Sequence, residues 1–212
     1  MSTDLHLSAV PGNALDEETA RAEIYGLLSQ LYYQAPSADL LSLLQVAVTE
    51  APDAGAFLEE SWRYLVACAR SLDETRIANE YNSLFGGVGK PEVYLFGSHY
   101  LSGFLNEKPL VRLRNDLAEL GLGRSHEMPE TEDHVAYVME VMRYLIAGED
   151  VSVANLTQQQ AFFTQHVQPW VPALCQALAA HPRAVFYARV AAFTAAFVSV
   201  ETQGFDLLDG SR

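Results

Sequence analysis

At 212 residues the chain suits one domain and can bury about 70% of the surface it exposes when unfolded, so it needs no disulfide or metal to hold it. Half the residues are hydrophobic and the formal charge is −14, which argues against nucleic-acid backbones and anionic membranes as partners and favours cationic peptides or proteins, unless the charge serves only solubility. Cys68 and Cys175 lie apart in apolar helical patterns, and the N-terminal stretch lacks the basic and apolar regions of a signal peptide, so a reducing, cytosolic compartment is expected.

Residues 1–14 read as a loose arm, 15–204 as one all-helical domain and 205–212 as a tail. A first helix begins at Asp16, with Ile24, Leu27, Leu28 and Leu31 on one face, and Pro36 stops it. Ser37 caps a second helix that runs to about Thr49, and a third spans about Asp53 to Arg70. Ser71 and Glu74 make a capping box for a fourth helix, whose Ile77, Tyr81, Leu84 and Phe85 share a face. Gly86 and Gly87 end it, as glycine enters the left-handed conformation of a C-terminal cap at little cost.

The stretch "LFGGVGKPE" (84–92) has the look of a phosphate-binding loop and fails as one. Leu84 stands where the first glycine belongs, Pro91 stands where the hydroxyl belongs, and a helix precedes it in place of a strand.

The aromatic-rich stretch 90–108 is less regular, and "PLVRLRNDLAELG" after it is helical and closes at Gly121. Beyond the loop 121–129, Thr131 caps a helix carrying Val135, Val138, Met139, Met142, Leu145 and Ile146, which ends at Gly148. "NLTQQQAFFTQHVQPWVPALCQALAA" reads as two helices bent at Pro169 or one kinked there. The last helix, about 183–201, is apolar almost all round and should form the buried centre of a bundle. Its apolar run, 184–200, contains Arg189 and is shorter than the roughly 20 residues of a membrane span. The pattern predicts an all-α bundle of eight or nine helices.

No Glu-x-x-His pair, His-Glu-x-x-His run or Gly-x-Ser-x-Gly elbow is present, so no cofactor, metal site or catalytic residue is expected. Two clusters remain. Tyr81, Phe85, Tyr94, Phe96, Tyr100 and Phe104 either pack as core or line a groove for a peptide. In "PETEDH" (129–134), Glu130, Glu132, Asp133 and His134 crowd a helix start, where acidic residues offset the dipole and also suit an arginine-bearing ligand. His134 either takes a local hydrogen bond or responds to pH near its ordinary pKa of about 6.5.

Across nearly its whole length the chain resembles the TorD/DmsD/NarJ family of redox-enzyme maturation proteins. The resemblance rests on "YGLLSQLYYQAPSADLL", "EYNSLFGG", "ETEDH", "QQAFFTQHVQPWVPALCQAL" and "AVFYARVAAFTAAFVSVE". "EYNSLFGG" resembles the family's aromatic-x-x-Leu-Phe motif. "ETEDH" resembles its Glu-Pro-x-Asp-His motif, with Thr131 in place of the proline and Pro129 two residues earlier.

The resemblance implies an all-helical, non-catalytic cytosolic chaperone. Such proteins bind the apoprotein of a molybdenum enzyme, often at its twin-arginine leader, until the cofactor is inserted. By position, Tyr81, Leu84 and Phe85 would form the hydrophobic part of the peptide site, and Asp133 and His134 the polar part. The two clusters read from the residues themselves add Tyr94 and Tyr100 to the aromatic side, and Glu130 and Glu132 beside Asp133 to hold the arginines. "HYLSGFLNEKPLVRLRNDLAELG" is similar to the branch associated with formate dehydrogenase. A mostly monomeric protein is expected, with the loop 121–129 as the hinge of any domain-swapped dimer. The reading from another class is a helical enzyme or small-ligand sensor with an internal aromatic cavity, and nucleotide binding is a weaker third.

Overall fold

The computed structural model describes residues 12–49, 58–86, 90–124 and 128–209. Ten helices are formed among them: α1 (Gly12–Tyr33), α2 (Ala38–Val46), α3 (Glu59–Ser71), α4 (Glu74–Phe85), α5 (Gly97–Ser102), α6 (Lys108–Glu119), α7 (Val135–Ala147), α8 (Leu156–His166), α9 (Val171–Ala179) and α10 (Phe186–Asp209). The all-α expectation holds. Two more elements than the lower expected count come from α5, hidden in the irregular aromatic stretch, and from the separation of α8 and α9 by a turn at 167–170 that contains Pro169.

Helical periodicity sets the core. In α1 the fully buried side chains are Tyr25, Leu28, Leu31 and Tyr32, while Ile24 and Leu27 are half-buried at the edge. The inward stripe is therefore rotated toward the tyrosines, which bury more area than leucine and find partners for their hydroxyls. Tyr32 bonds the Thr194 hydroxyl at 3.0 Å, and Tyr25 donates to Glu201 at 2.9 Å.

The α7 stripe is buried as expected from Val135 through Leu145, with Ile146 half-buried. α1 packs chiefly on α7, and α10 on α9 and α3. Phe186, Tyr187, Val190, Ala191, Phe193, Thr194, Phe197 and Val198 of α10 are buried, which puts its first three turns at the centre of the bundle. The helix then continues past the expected end at 201 to Asp209.

One buried polar network ties α1, α8 and α10. Arg21 donates to both oxygens of Glu201 at 2.7 and 2.8 Å and to Gln159 at 3.2 Å. A bidentate guanidinium pair of this kind fixes orientation as well as charge.

Several helix ends differ from the sequence reading. The α4 cap is Asp73, whose side chain accepts from the Arg76 N–H at 2.8 Å, whereas Ser71 closes α3 and donates to the Cys68 carbonyl. Gly86 ends α4 at φ −90°, so no left-handed conformation is needed there. A Cβ at Gly86 would instead meet the Asn82 carbonyl oxygen at 2.8 Å. Gly87 and Gly89 lie outside the described residues. Ser37 caps α2 as expected, accepting from the Leu40 N–H.

Candidate functional site

The α4 sequence puts Tyr81 and Phe85 one turn apart on a face that meets α10. Their rings pack edge to face at 5.0 Å, and both pack on Tyr187, at 5.6 and 5.0 Å. The Tyr81 hydroxyl donates to the Tyr33 carbonyl at 2.7 Å, which ties α4 to the end of α1. Burial pushes that phenol up to about 12, with Glu130 acting in the same direction.

Leu84 points the other way and is fully buried. It contributes its carbonyl, which accepts from the Glu92 and Val93 N–H groups at 3.0 Å each and so anchors the chain leaving the helix. The sequence placed Leu84 in the peptide site, but this side chain belongs to the core.

From that anchor, residues 93–96 run extended, with Val93 and Leu95 buried and Tyr94 and Phe96 only half-buried. Phe96 makes an isolated antiparallel bridge with His134. The Gly97 N–H donates to the Asp133 carbonyl at 2.9 Å, and the Val135 N–H donates to the Leu95 carbonyl at 2.8 Å. Gly97 packs closely here, since a Cβ there would lie 3.0 Å from the Trp170 indole and the ring would have to shift.

The acidic cluster is divided among separate tasks. Asp133 is only 4% exposed; one carboxylate oxygen accepts from the Ser98 N–H at 2.8 Å and the other from the Thr131 hydroxyl at 2.6 Å. It thereby satisfies the first turn of α5, whose own N-cap, Phe96, has no side-chain acceptor. Glu132 accepts from the Arg114 guanidinium of α6 at 2.9 and 3.0 Å. Partial burial works to raise its pKa, but the Arg114 bond, a hydrogen bond from its own backbone and the charges of Arg114 and Arg124 together outweigh that and hold the carboxyl below its ordinary value. Neither carboxylate is placed to hold a ligand's arginines as the sequence suggested.

His134, rather than Thr131, caps α7, with its Nδ1 accepting from the Ala136 N–H at 3.2 Å. Burial lowers the imidazole to about 4, against the opposing pull of Asp133, so it does not titrate near 6.5.

These pieces enclose one cleft of about 440 Å3, and the two clusters meet in it. Tyr81, Phe85, Tyr94 and Phe96 share its lining with Glu130 and His134, and Tyr33, Gln34, Leu105 and Pro129 also contribute. Glu130, Pro129 and Leu105 are solvent-exposed, so this is a surface cleft and not an internal aromatic cavity. Glu130 is its carboxylate, and no lysine or arginine lines it among the described residues.

Tyr100 sits behind the cleft, stacked on Trp170 at 5.9 Å, with its hydroxyl donating to the Tyr94 carbonyl at 2.9 Å. Phe104 projects into solvent at the α5–α6 turn. Tyr33, Gln34 and Leu105 carry no site signal in the sequence reading, and Pro129 enters it only as the displaced motif proline. Tyr33 and Gln34 had only one local signal, their place at a helix end just before Pro36.

Among the described residues no three His, Cys, Asp or Glu side chains converge as a metal site, and no helix is long and apolar enough to cross a membrane.

Residues 51–176 match the nitrate reductase delta subunit family. The chain is also similar to proteins named chaperone protein TorD. That of Vibrio cholerae is 25% identical over 205 residues, covering 89% of this chain and 93% of the relative. That of Colwellia psychrerythraea is 23% identical over 235 residues, covering 93% and 97%, and that of Photobacterium profundum is 25% identical over 152 residues, covering 67% and 70%.

Proposed function

The chain belongs to the nitrate reductase delta subunit family, and from that membership we propose that it is a non-catalytic cytoplasmic chaperone for the apoprotein of a molybdenum-cofactor oxidoreductase. It holds the client, often by its twin-arginine leader, until the cofactor is in place. The similarity to chaperones along almost the whole of both chains supports this class.

The observation that carries the leader reading is the cleft itself. Tyr81, Phe85 and Phe96 line it together with Glu130, with no lysine or arginine in the lining among the described residues. A twin-arginine leader has guanidinium groups followed by an apolar segment. The guanidiniums pair with a carboxylate bidentately, and the apolar segment leaves water against the aromatic wall.

In this reading Glu130 receives an arginine, and Phe85, Tyr81, Tyr94 and Phe96 receive the apolar part. Asp133, Leu84 and Tyr100 position these groups without touching the ligand. Asp133 holds α5 and the 131–135 segment together, Leu84 anchors 92–93, and Tyr100 supports Tyr94. Glu132 holds α6 to the same segment through Arg114.

A formate dehydrogenase catalytic subunit is the client proposed, on the resemblance of residues 99–121. The test is co-expression with that subunit and with the catalytic subunits of other molybdenum enzymes, followed by size-exclusion chromatography. The formate dehydrogenase apoprotein should elute with this chain, and the cofactor-loaded form should not. Stable association with none of the apoproteins would contradict the chaperone reading.

A further inference from the structure

The cleft does not end at Tyr33. A second cavity, of about 260 Å3, adjoins it, and Tyr33 and Gln34 line both. The rest of its wall includes Gln30, Ser37 and Leu40 and, from α7, Tyr137 and Glu140. Tyr33 is the partition between the two, 42% exposed, with its ring 5.9 Å from that of Tyr137.

Tyr137 and Glu140 are three residues apart on α7, so they share a face, and that face continues the one that His134 begins. The two cavities thus form a single groove along α7, with Glu130 in one half and Glu140 in the other, and no lysine or arginine in the lining of either.

A second observation points to a missing donor in the same place. The Tyr137 hydroxyl is shut off from solvent and makes no hydrogen bond among the described residues, although the Tyr33 hydroxyl and the Glu130 backbone act on it from close by. Buried hydroxyls are normally paired, so a donor that enters as the Tyr33 ring turns aside would complete this one. Glu140 is meanwhile held only by Arg143, three residues along the helix, in an ion pair 44% and 46% exposed. Such pairs exchange partners at little cost.

We propose that this second half of the groove is a guanidinium subsite: it takes one arginine of an extended client segment between Tyr137 and Glu140, while Glu130 takes the other. The subsite rests on the leader-binding reading above. It gives the bound segment a direction, with the arginine pair straddling Tyr33 and the apolar residues running toward Phe85, Phe96 and Leu105.

The test is calorimetric titration of the full chain with a twin-arginine leader peptide and with the same peptide carrying alanine at both arginines. Glu140→Gln should weaken binding of the arginine peptide roughly three- to tenfold and leave the alanine peptide unchanged. Arg143→Gln, which frees Glu140, should tighten the arginine peptide. Glu149→Gln, an equal charge change at an exposed position beyond the end of α7, should do neither.

If Glu140→Gln binds the arginine peptide as tightly as the parent chain while Glu130→Gln weakens it, the groove ends at Tyr33. The subsite is then wrong and the leader reading stands. If the parent chain binds no leader peptide, both fall together.

Discussion

Asp133→Ala separates a residue that builds the site from one that touches the ligand. The carboxylate is 4% exposed and accepts two hydrogen bonds, from the Ser98 N–H across the chain and from the Thr131 hydroxyl. Truncation leaves the Ser98 N–H buried with no acceptor, while Thr131, half-buried, can turn to water. Hydrogen bonds to charged groups contribute about 1.5–3 kcal/mol each, and an orphaned buried donor costs about 1–3 kcal/mol, so a loss of about 2–4 kcal/mol is expected. In a chain of this size that lowers Tm by about 5–15 °C. Thermal unfolding followed by circular dichroism reads this directly, and Asp133→Asn, which keeps an acceptor, should fall between the two. Peptide affinity should drop only as far as the 131–135 segment is disordered, and cooling should recover part of it. An unchanged Tm together with abolished binding would refute the reasoning, because the carboxylate would then face the ligand and not α5.

Further outcomes follow from other buried groups. His134 is neutral in the folded chain until about pH 4, whereas the unfolded chain takes up that proton near 6.5. Stability from this site is therefore complete above about 6.5 and is lost as the pH falls toward 4. Urea unfolding across that window should show the slope, and His134→Asn, which keeps a cap acceptor, should flatten it. Glu201→Ala strands the Arg21 guanidinium and the Tyr25 hydroxyl and should cost about 3–5 kcal/mol by chemical denaturation. Gly97→Ala drives a Cβ to 3.0 Å from the Trp170 ring and should cost about 1–3 kcal/mol, with a change in tryptophan near-ultraviolet dichroism.

The helices were legible because their apolar periodicity is local. The stripe of α7 and the buried start of α10 were both readable from spacing alone. Caps were read less well, since a cap depends on which nearby acceptor is already engaged. Thr131 was the natural cap for α7, but its hydroxyl serves Asp133, and His134 takes the role.

The fate of each acid was not legible for a related reason. Asp133 is claimed by Ser98, 35 residues away, and Glu132 by Arg114 on α6. Only the fold decides that Glu130 is the carboxylate left at the cleft. The aromatic half was easier to find: Tyr81 and Phe85 sit at a helix end, where large side chains reach the edge of the core. Leu84, between them in sequence, points inward because helical geometry turns it to the buried face.

The central claim is that the cleft recognises arginines beside an apolar segment. Its most direct test is calorimetric titration of the parent chain and of Glu130→Gln with a formate dehydrogenase twin-arginine leader and with its double-alanine counterpart. Micromolar affinity, about −8 kcal/mol, should weaken at least tenfold when either the arginines or the Glu130 carboxylate is removed, and removing both should add little to removing one. Equal affinity for the two peptides, or an undiminished Glu130→Gln, would contradict the account.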